Sequence, residues 1–291
     1  MKPAAFDYHA PESADEAVRL LAELGDEAKF IAGGQSLVPM LALRLAVFDH
    51  LIDLRKLDEL RGIEAGPESV RIGAGNTHAA VGASEAVRRG VPLLHRATPM
   101  IGHFQIRNRG TIGGAIAHAD AAAEYPAVAL TLDAEIEALS PTGRRTIPAA
   151  EFFTGMWTTA LDPEEMVTAI TFPIWTGRCG FAIEEFTRRA GDFAMAGTTI
   201  AVRLDADSRI ERCAIGLFGL APTPVRARAA EAALLGRRAE EITDQEVGAA
   251  ATDGLTSIST DVHGSAEYRR RVGATMVRRA WRTALREAQN D

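Results

Sequence analysis

The sequence predicts an α+β fold, and three stretches of the 291-residue chain carry this prediction. Near the N-terminus, short apolar runs alternate with amphipathic helical patterns, which is typical of an α/β unit. Residues 62–74 hold two alternating apolar runs on either side of Gly66-Pro67, the pattern of a β-hairpin. After residue 181, three strand patterns are followed by three helical ones, which indicates a separate α+β domain.

The elements of the first part follow from their end signals. Ser13-Ala14-Asp15-Glu16 is a capping box that opens a helix, and Gly25 ends that helix. The remaining predicted elements are helices at 38–45, 84–89 and 119–132, and strands at 29–32, 50–54, 133–139, 144–148 and 166–172.

The predicted C-terminal part follows a linker at 174–180. Its strands are expected to form a three-stranded antiparallel sheet, which the helices then cover. The predicted strands span 181–187, 195–204 and 210–218, and the predicted helices span 227–235, 244–255 and 267–288.

The composition excludes several functions. The formal net charge of −7 argues against a general nucleic-acid partner. Cys179 and Cys213 are the only cysteines, too few for the four thiolates of an ordinary iron–sulfur cluster or for a disulfide framework. The histidines lack metal-binding spacing, so we expect no metal site. No apolar run is long enough to cross a membrane, and Asp7 comes too early for a secretory signal, so the expected location is the cytoplasm.

The first candidate binding motif is Ala32-Gly33-Gly34-Gln35-Ser36-Leu37, between a predicted strand and a predicted helix. Paired glycines let backbone N–H groups approach a ligand, and such a turn can form a nest of amides for phosphate oxygens. Ser36 adds a hydroxyl donor, and the helix that follows adds a positive dipole end. The spacing is not that of a Rossmann fold. The alternative is a tight turn that binds nothing.

The second candidate motif is Thr111-Ile112-Gly113-Gly114-Ala115, followed by Ala117-His118-Ala119-Asp120. It again combines a hydroxyl with two adjacent glycines, and the small residues after it leave room for a flat ring system. A packed glycine corner is the alternative. Together the two motifs suggest that one dinucleotide bridges both, with its pyrophosphate in the first loop and part of a flavin in the second.

These motifs, together with the runs 106–114 and Arg188-Arg189-Ala190-Gly191-Asp192-Phe193-Ala194, closely resemble the FAD-binding medium subunit of molybdenum hydroxylases, the family of aerobic carbon monoxide dehydrogenase and xanthine dehydrogenase. The resemblance covers nearly the whole chain in the right order. It implies a two-part FAD-binding domain of the PCMH (vanillyl-alcohol-oxidase-like) type at 1–176, with subdomains at about 1–56 and 57–176. It also implies a smaller C-terminal domain at 177–291.

The resemblance assigns roles to individual residues. It implies that Ala32 to Leu37 wrap the FAD pyrophosphate and that Thr111 to Ala115, with Ala117 and Asp120, lie along the flavin and its ribityl chain. Further cofactor contacts implied in this way are Glu124, Val167, Asp192 and Phe193. Alternatives remain for three of them, because Glu124 could be a surface acid, Val167 part of a core strand and Phe193 a core aromatic. No catalytic residue is expected, and His118 is interpreted as a packing or hydrogen-bonding residue.

The sequence departs from the family pattern in two places. Ala121 stands where a proline often follows Ala-Asp, and Glu184 and Thr187 leave no lysine in a stretch where some relatives place one on the flavin. These departures leave the polarity around the flavin ring and the electron acceptor open.

The implied function is that of a flavoprotein subunit that carries electrons through FAD to an external acceptor. The resemblance implies two partners, a large molybdopterin subunit and a small subunit with [2Fe–2S] clusters, in a dimer of heterotrimers. Alternatives are a self-contained FAD-dependent oxidase or reductase of the same fold, and a non-catalytic flavin-binding module. Gly33→Val or Gly113→Val is expected to block FAD binding and to leave the fold largely intact.

An arginine-rich segment near the C-terminus allows two interpretations. It contains Arg269, Arg270, Arg271, Arg278, Arg279, Arg282 and Arg286. A solvated helix face is one interpretation, and a docking surface for an acidic partner subunit is the other.

Overall fold

The computed structural model describes residues 2–258, 260–262 and 264–290. It confirms the α+β fold class. The strands are β1 Asp7–His9, β2 Ala28–Ile31, β3 His50–Asp53, β4 Ile63–Ala65, β5 Ser69–Gly73, β6 Glu135–Ser140, β7 Gly143–Pro148, β8 Phe153–Gly155, β9 Thr158–Thr159, β10 Met166–Pro173, β11 Arg178–Phe186, β12 Ala196–Leu204, β13 Ile210–Phe218 and β14 Val225–Arg226. The helices are α1 Ala14–Leu24, α2 Leu37–Ala42, α3 His78–Ala83, α4 Glu85–Gly90, α5 Pro92–Ala97, α6 Phe104–Arg107, α7 Ile112–His118, α8 Glu124–Thr131, α9 Ala149–Phe152, α10 Arg228–Leu234, α11 Asp244–Asp253 and α12 Ala266–Asn290.

The first part of the chain forms a small parallel sheet of order β1-β3-β2. Helix α1 begins as predicted, because the Ser13 hydroxyl accepts the N–H of Glu16 at 3.1 Å. Its buried face packs on this sheet and reaches Leu139 and Met166 of the next one. Strand β2 ends directly at the first glycine motif, so the sheet fixes where that loop leaves the core.

The second sheet has five strands in the order β4-β5-β10-β6-β7, all antiparallel. Its central strand β10 is an almost continuous apolar run, as expected for a strand flanked on both edges. Helices α5, α7 and α8 contribute buried side chains to the core that covers this sheet. The predicted hairpin at 62–74 is confirmed as β4 and β5.

The C-terminal sheet has the order β11-β12-β13-β14 and is antiparallel throughout. Its three nine-residue strands agree with the three predicted ones, but the two-residue β14 adds a fourth, which the expectation of three strands missed. Only Val225 and Arg226 pair there, too short a run to give an alternating signal. Helix α12 packs along β11 and β12 with the indole of Trp281 buried beneath it.

One predicted helix is wrong in extent. The apolar run 119–132 is split, because Ala119 adopts a left-handed conformation at φ 52° and ends α7, and helix α8 begins only at Glu124. The loop between them, 120–123, lies beside the C-terminal sheet, where the carbonyl of Ala121 accepts the N–H of Gly219. Hydrophobicity alone could not reveal this break, since small apolar residues occur on both sides of it.

The two predicted domains are joined by a shared buried cluster, although the C-terminal sheet and its helices also have a core of their own. Trp175, Cys179, Phe181, Ala201 and Ala214 belong to the same buried cluster as the residues of the five-stranded sheet. Arg96 of α5 pairs with Glu287 of α12, and the same carboxylate accepts the N–H of Phe181. The domain boundary at 176/177 therefore lies within a packed region and remains a prediction.

No helix in the described ranges combines the length and apolar character needed to cross a bilayer.

Candidate functional site

A cleft of about 990 Å³ runs between the N-terminal sheet, the five-stranded sheet and the loop before β12. Its volume lies at the upper end of the range of about 300–1,000 Å³ that is usual for ligand sites. All but one of the predicted cofactor-contacting residues line it: Ala32, Gly33, Gly34, Gln35, Ser36, Leu37, Thr111, Gly113, Gly114, Ala115, Ala117, Asp120, Glu124, Val167, Asp192 and Phe193. The exception is Ile112, whose side chain is fully buried in the core.

The first glycine loop follows β2 directly and lines the cleft. Among the described residues, no hydrogen bond uses the N–H groups of Gly33, Gly34, Gln35 or Ser36 as donor. Gly34 has a positive φ of 72°, and the Gln35 side chain holds the loop by donating to the carbonyl of Gly33 at 3.0 Å. Unpaired backbone amides are rare in folded proteins unless a ligand or water accepts their hydrogens. This loop therefore fits the oxygens of a diphosphate.

Residues 111–115, the second glycine loop, form the N-cap and the first turn of α7, and they use their amides differently from the first loop. The N–H of Ile112 donates to the carbonyl of Asn76 at 3.0 Å, and that of Gly113 to the carbonyl of Ala74 at 2.9 Å. The N–H of Gly114 donates to the hydroxyl of Thr111 at 3.1 Å, which caps α7. These three amides are thus not available to a ligand, because internal acceptors already hold their hydrogens. Gly114 and Thr111 still face the cleft and leave space for a ligand.

Two glycines lie in very close contact with neighbouring segments: Gly33 contacts Arg109, and Gly113 contacts Ala74. A Cβ on Gly33 would lie 2.2 Å from the carbonyl oxygen of Arg109, and one on Gly113 would lie 2.4 Å from the Cβ of Ala74. Both distances are far below any real Cβ contact. The expectation that Gly33→Val and Gly113→Val leave the fold largely intact is therefore wrong, since each side chain would push two loops apart.

A third loop, residues 74–78, completes this wall of the cleft and was missed from the sequence. The Asn76 side chain is buried and donates to the carbonyls of Gly62 and Gly73, both at 2.8 Å. The hydroxyl of Thr77 caps α3. The available signal was Gly73-Ala74-Gly75-Asn76-Thr77 directly after a strand, which resembles an ordinary turn.

Behind this loop lies a buried polar chain. The His78 ring meets the Tyr125 ring edge-on at 4.9 Å, and the Tyr125 hydroxyl is 2.8 Å from the hydroxyl of Thr98. Because Thr98 donates to the carbonyl of Leu94, Tyr125 must be the donor to Thr98. Burial, with the nearby charge of Arg107, lowers the pKa of His78 to about 4, so this wall stays uncharged at neutral pH.

Glu124 places a carboxyl group in the cleft at the start of α8. Burial raises its pKa to about 8, and the negative charges of Glu185 and Asp120 act in the same direction, whereas its own backbone N–H opposes them. Burial likewise raises the pKa of Glu185 to about 7. Glu124 is thus largely protonated at neutral pH and can donate a hydrogen bond to a ligand without repelling its phosphates.

Two aromatic side chains stand exposed in the cleft. Phe193 is 69% exposed, so the alternative of an ordinary core aromatic is wrong. Trp157, at the tip of the β8–β9 hairpin, is 61% exposed with φ 53°, and its ring is parallel to that of His118 at a centroid distance of 6.4 Å. No sequence pattern singles out Trp157, because an aromatic residue at a hairpin tip looks like any other surface residue. The exposed ring of each of these two side chains can stack against a flat ring of a ligand.

Within the described ranges, no three His, Cys, Asp or Glu side chains come together as a possible metal site. Fold and cleft together define a class: an α+β protein with a large cleft, in which a glycine loop fits a diphosphate and exposed aromatic side chains fit a flat ring.

Comparisons with known proteins identify the family. Residues 4–175 match the family model described as the FAD binding domain in molybdopterin dehydrogenase, and residues 181–284 match the CO dehydrogenase flavoprotein C-terminal domain. The chain is 38% identical to the carbon monoxide dehydrogenase medium chain of Hydrogenophaga pseudoflava, over 98% of each chain. It is 40% identical to the 6-hydroxypseudooxynicotine dehydrogenase complex subunit alpha of Paenarthrobacter nicotinovorans, over 99% of this chain and 97% of that one.

Solved structures agree. Carbon monoxide dehydrogenase from Hydrogenophaga pseudoflava matches with a TM-score of 0.94 at 40% identity, covering 99% of both chains. Quinoline 2-oxidoreductase from Pseudomonas putida 86 matches with a TM-score of 0.93 at 34% identity, covering 99% of both chains. The chain belongs to the family of FAD-binding medium subunits of molybdenum hydroxylases, as its motifs suggested.

Proposed function

We propose that this chain is the flavoprotein medium subunit of a molybdenum hydroxylase and carries electrons from [2Fe–2S] clusters of a partner subunit, through FAD, to an external acceptor. The observation that carries the proposal is the first glycine loop, which lines the cleft and has four consecutive amides that donate no hydrogen bond among the described residues. Bound FAD supplies redox chemistry in one- and two-electron steps, which suits a subunit between single-electron carriers and an acceptor.

The chain's own residues hold and shape the site. Residues 32–37 bind the diphosphate through backbone amides and the Ser36 hydroxyl, which need no rearrangement when the ligand arrives. Lys29 and Arg109 also line the cleft and add positive charge to this region. Because amide dipoles are fixed by the fold, they neutralise the phosphates at any pH at which the protein is folded.

The remaining predicted residues lie where the ring system and its linker would be. Thr111, Gly114, Ala115 and Ala117 form a floor of small side chains along the second loop. Asp120 and Glu124 offer polar contacts, with Glu124 as a donor at neutral pH.

The ring faces are covered from two sides. Val167 of β10 lines the cleft with only 5% of its surface exposed, so its backbone is the part that faces the ligand. Asp192 and Phe193 close the site from the C-terminal domain, and Trp157 does so from the β8–β9 hairpin.

The positions of the two cysteines and the names of the relatives bear on which partner subunits this chain needs. Cys179 and Cys213 are both buried in the cores, so they are not positioned to bind an iron–sulfur cluster that exchanges electrons with a partner. Relatives are named as medium chains or subunits of complexes. We infer a large molybdopterin subunit, a small [2Fe–2S] subunit and a dimer of heterotrimers located in the cytoplasm. Residues 1–176 would hold FAD, and residues 177–291 would complete the cleft.

The test begins with the purified chain. We expect the yellow absorbance of bound FAD after reconstitution, and no loss of that colour on addition of small organic substrates. Addition of the small [2Fe–2S] subunit in reduced form should bleach it. Bleaching by a small substrate alone would favour a self-contained oxidase or reductase instead, and no bleaching by either reductant would favour a non-catalytic flavin module.

A further inference from the structure

The arginines of α12 divide into two groups by their surroundings. Arg269 is buried, and its guanidinium donates to the carbonyls of Met195 and Gly219 and pairs with Asp261 at 2.6 Å. Arg270 donates to carbonyls at the end of α11 and in the following loop. These two arginines tie α12 to its own domain.

The other five arginines form one exposed face. At about 100° per residue on a helix, they fall in a sector roughly 100° wide, and no acidic residue of α12 falls in that sector. The five residues, which we call the α12 arginine face, are Arg271, Arg278, Arg279, Arg282 and Arg286. Arg278 and Arg282 share Asp244 of α11, at 3.3 and 3.0 Å.

Three members of the face have no partner within the described residues. The side chains of Arg271, Arg279 and Arg286 are exposed and make no hydrogen bond or ion pair there. This is unexpected in a chain with a net charge of −7, where 39 acidic residues compete for 32 basic ones. A row of uncompensated cations on an acidic protein fits a surface that receives negative charge from elsewhere.

A shallow pocket of about 400 Å³ lies at the C-terminal end of the face. Ile242, Trp281 and Leu285 give it an apolar part, and Arg282 and Arg286 stand at its edge. Guanidinium groups beside an apolar recess suit a peptide in which an apolar side chain is flanked by carboxylates.

We propose that the α12 arginine face docks an acidic segment of a partner subunit, with one apolar side chain of that segment in the pocket. The proposal rests on the function proposed above, because it takes the chain to be part of a complex. From Arg271 to Arg286 the helix rises about 22 Å, at about 1.5 Å per residue. An extended strand would need about seven residues to cover this length.

Charge complementarity selects this occupant. Carboxylates spaced along a peptide can meet the arginines singly, whereas a nucleic acid brings a continuous polyanion that the remaining negative charge of the chain would repel. The three unpaired guanidinium groups can each bind a carboxylate through two parallel hydrogen bonds.

The test compares two triple variants in the assembled complex, purified through a tag on this chain. One variant is Arg271→Gln/Arg279→Gln/Arg286→Gln, and its matched control is Lys2→Gln/Arg19→Gln/Lys56→Gln, which removes three exposed charges elsewhere. Analytical ultracentrifugation against NaCl concentration gives the dissociation constant of the complex. We expect it to rise on the order of tenfold in the first variant, since exposed ion pairs contribute about 0.2–1 kcal/mol each. The control should stay within about twofold of wild type.

The outcomes separate the two proposals. Unchanged thermal midpoint and flavin absorbance of each isolated variant show that it is folded and loaded. A complex that the first variant leaves unchanged, or that the control weakens equally, overturns the docking surface alone. A wild-type chain that binds FAD but assembles with no partner overturns the proposed function as well. Arginine-dependent binding of duplex DNA or phosphatidylserine vesicles by the isolated chain, or a self-dimer lost in the first variant, would replace the acidic segment with another occupant.

Discussion

The two glycine loops look alike in sequence but do different work in the structure. Each combines a hydroxyl residue with two adjacent glycines, but the first precedes α2, whereas the glycines of the second lie in the first turn of α7. The first loop lines the cleft and its four amides donate no hydrogen bond within the described residues, whereas in the second three amides are held by Asn76, Ala74 and Thr111. The first loop therefore has amides available for a ligand. The second is held by internal hydrogen bonds and leaves space for a ligand beside it.

The difference shows that a glycine pair has at least two separable uses. Gly34 supplies a positive φ that turns amides toward a ligand, whereas Gly33 and Gly113 supply the missing Cβ that allows two backbones to touch. A sequence shows that glycines are present but not which neighbour approaches them. Substitutions that affect one use at a time can therefore test the comparison.

The largest effect is expected for Gly33→Val, which adds a side chain at a very tight backbone contact and so displaces the amides beside it. Its side chain would overlap the Arg109 carbonyl, so we expect the free energy of unfolding to fall by about 3 kcal/mol or more, together with loss of bound FAD. Urea denaturation and the flavin-to-protein absorbance ratio measure the two quantities. Gly254→Val is the control, because no atom lies within 4 Å of its Cβ position. A stable, fully loaded Gly33→Val protein would show that the loops are not in contact as described.

Asn76→Ala tests the packing role of the third loop, against which the second glycine loop packs. Two hydrogen bonds to backbone carbonyls are lost from a buried site, so unfolding should become easier by about 1–3 kcal/mol. The affinity of the folded fraction for FAD should change little, as isothermal titration at low temperature would report. A large loss of affinity without loss of stability would instead make this wall a direct binding surface.

Glu124 gives a pH-dependent prediction for the region between the loops. Its pKa is about 8 in the folded chain against 4.5 in the unfolded one, so its contribution to stability is complete below about pH 4.5. That contribution is lost progressively as pH rises to about 8 and is constant above. Glu124→Gln should flatten this decline in urea midpoints measured from pH 5 to 9. FAD affinity should likewise fall through about pH 8 in wild type only; identical profiles would contradict a protonated Glu124.

The smallest effect is expected for Gln35→Ala, which loosens the first loop without touching the core. Removing the hydrogen bond to the Gly33 carbonyl should weaken FAD binding by about threefold to tenfold. The free energy of unfolding should change by less than about 0.5 kcal/mol. Together with Asn76→Ala, this variant reverses the pattern: affinity changes and stability does not. Equal effects of both variants on both quantities would remove the distinction between the loops.

The sequence predicted most of the strands and both glycine loops, because period-two apolar runs and glycine pairs are local signals. Helix α12 and the three long strands of the C-terminal sheet lie within a few residues of their predicted ranges. The family resemblance supplied the remaining cofactor contacts, and apart from Ile112 these residues come together at one cleft.

What the sequence could not supply depends on contacts between distant segments. The loop at 74–78 matters because Gly113 and Gly110 pack against it, and nothing within the loop itself shows this. Trp157 reaches the cleft only because a hairpin folds over His118. The break at Ala119 and the added strand β14 follow from the C-terminal sheet, which lies far along the chain.

The apolar cluster that Trp175 and Phe181 share with the five-stranded sheet has a consequence for how this molecule melts. Because both halves of the chain contribute residues to that cluster, we expect them to unfold together on heating. Scanning calorimetry should then record a single peak. Cofactor that binds only the folded form would then protect residues far from the cleft against cleavage that requires unfolding of the whole chain, because such unfolding also releases the cofactor.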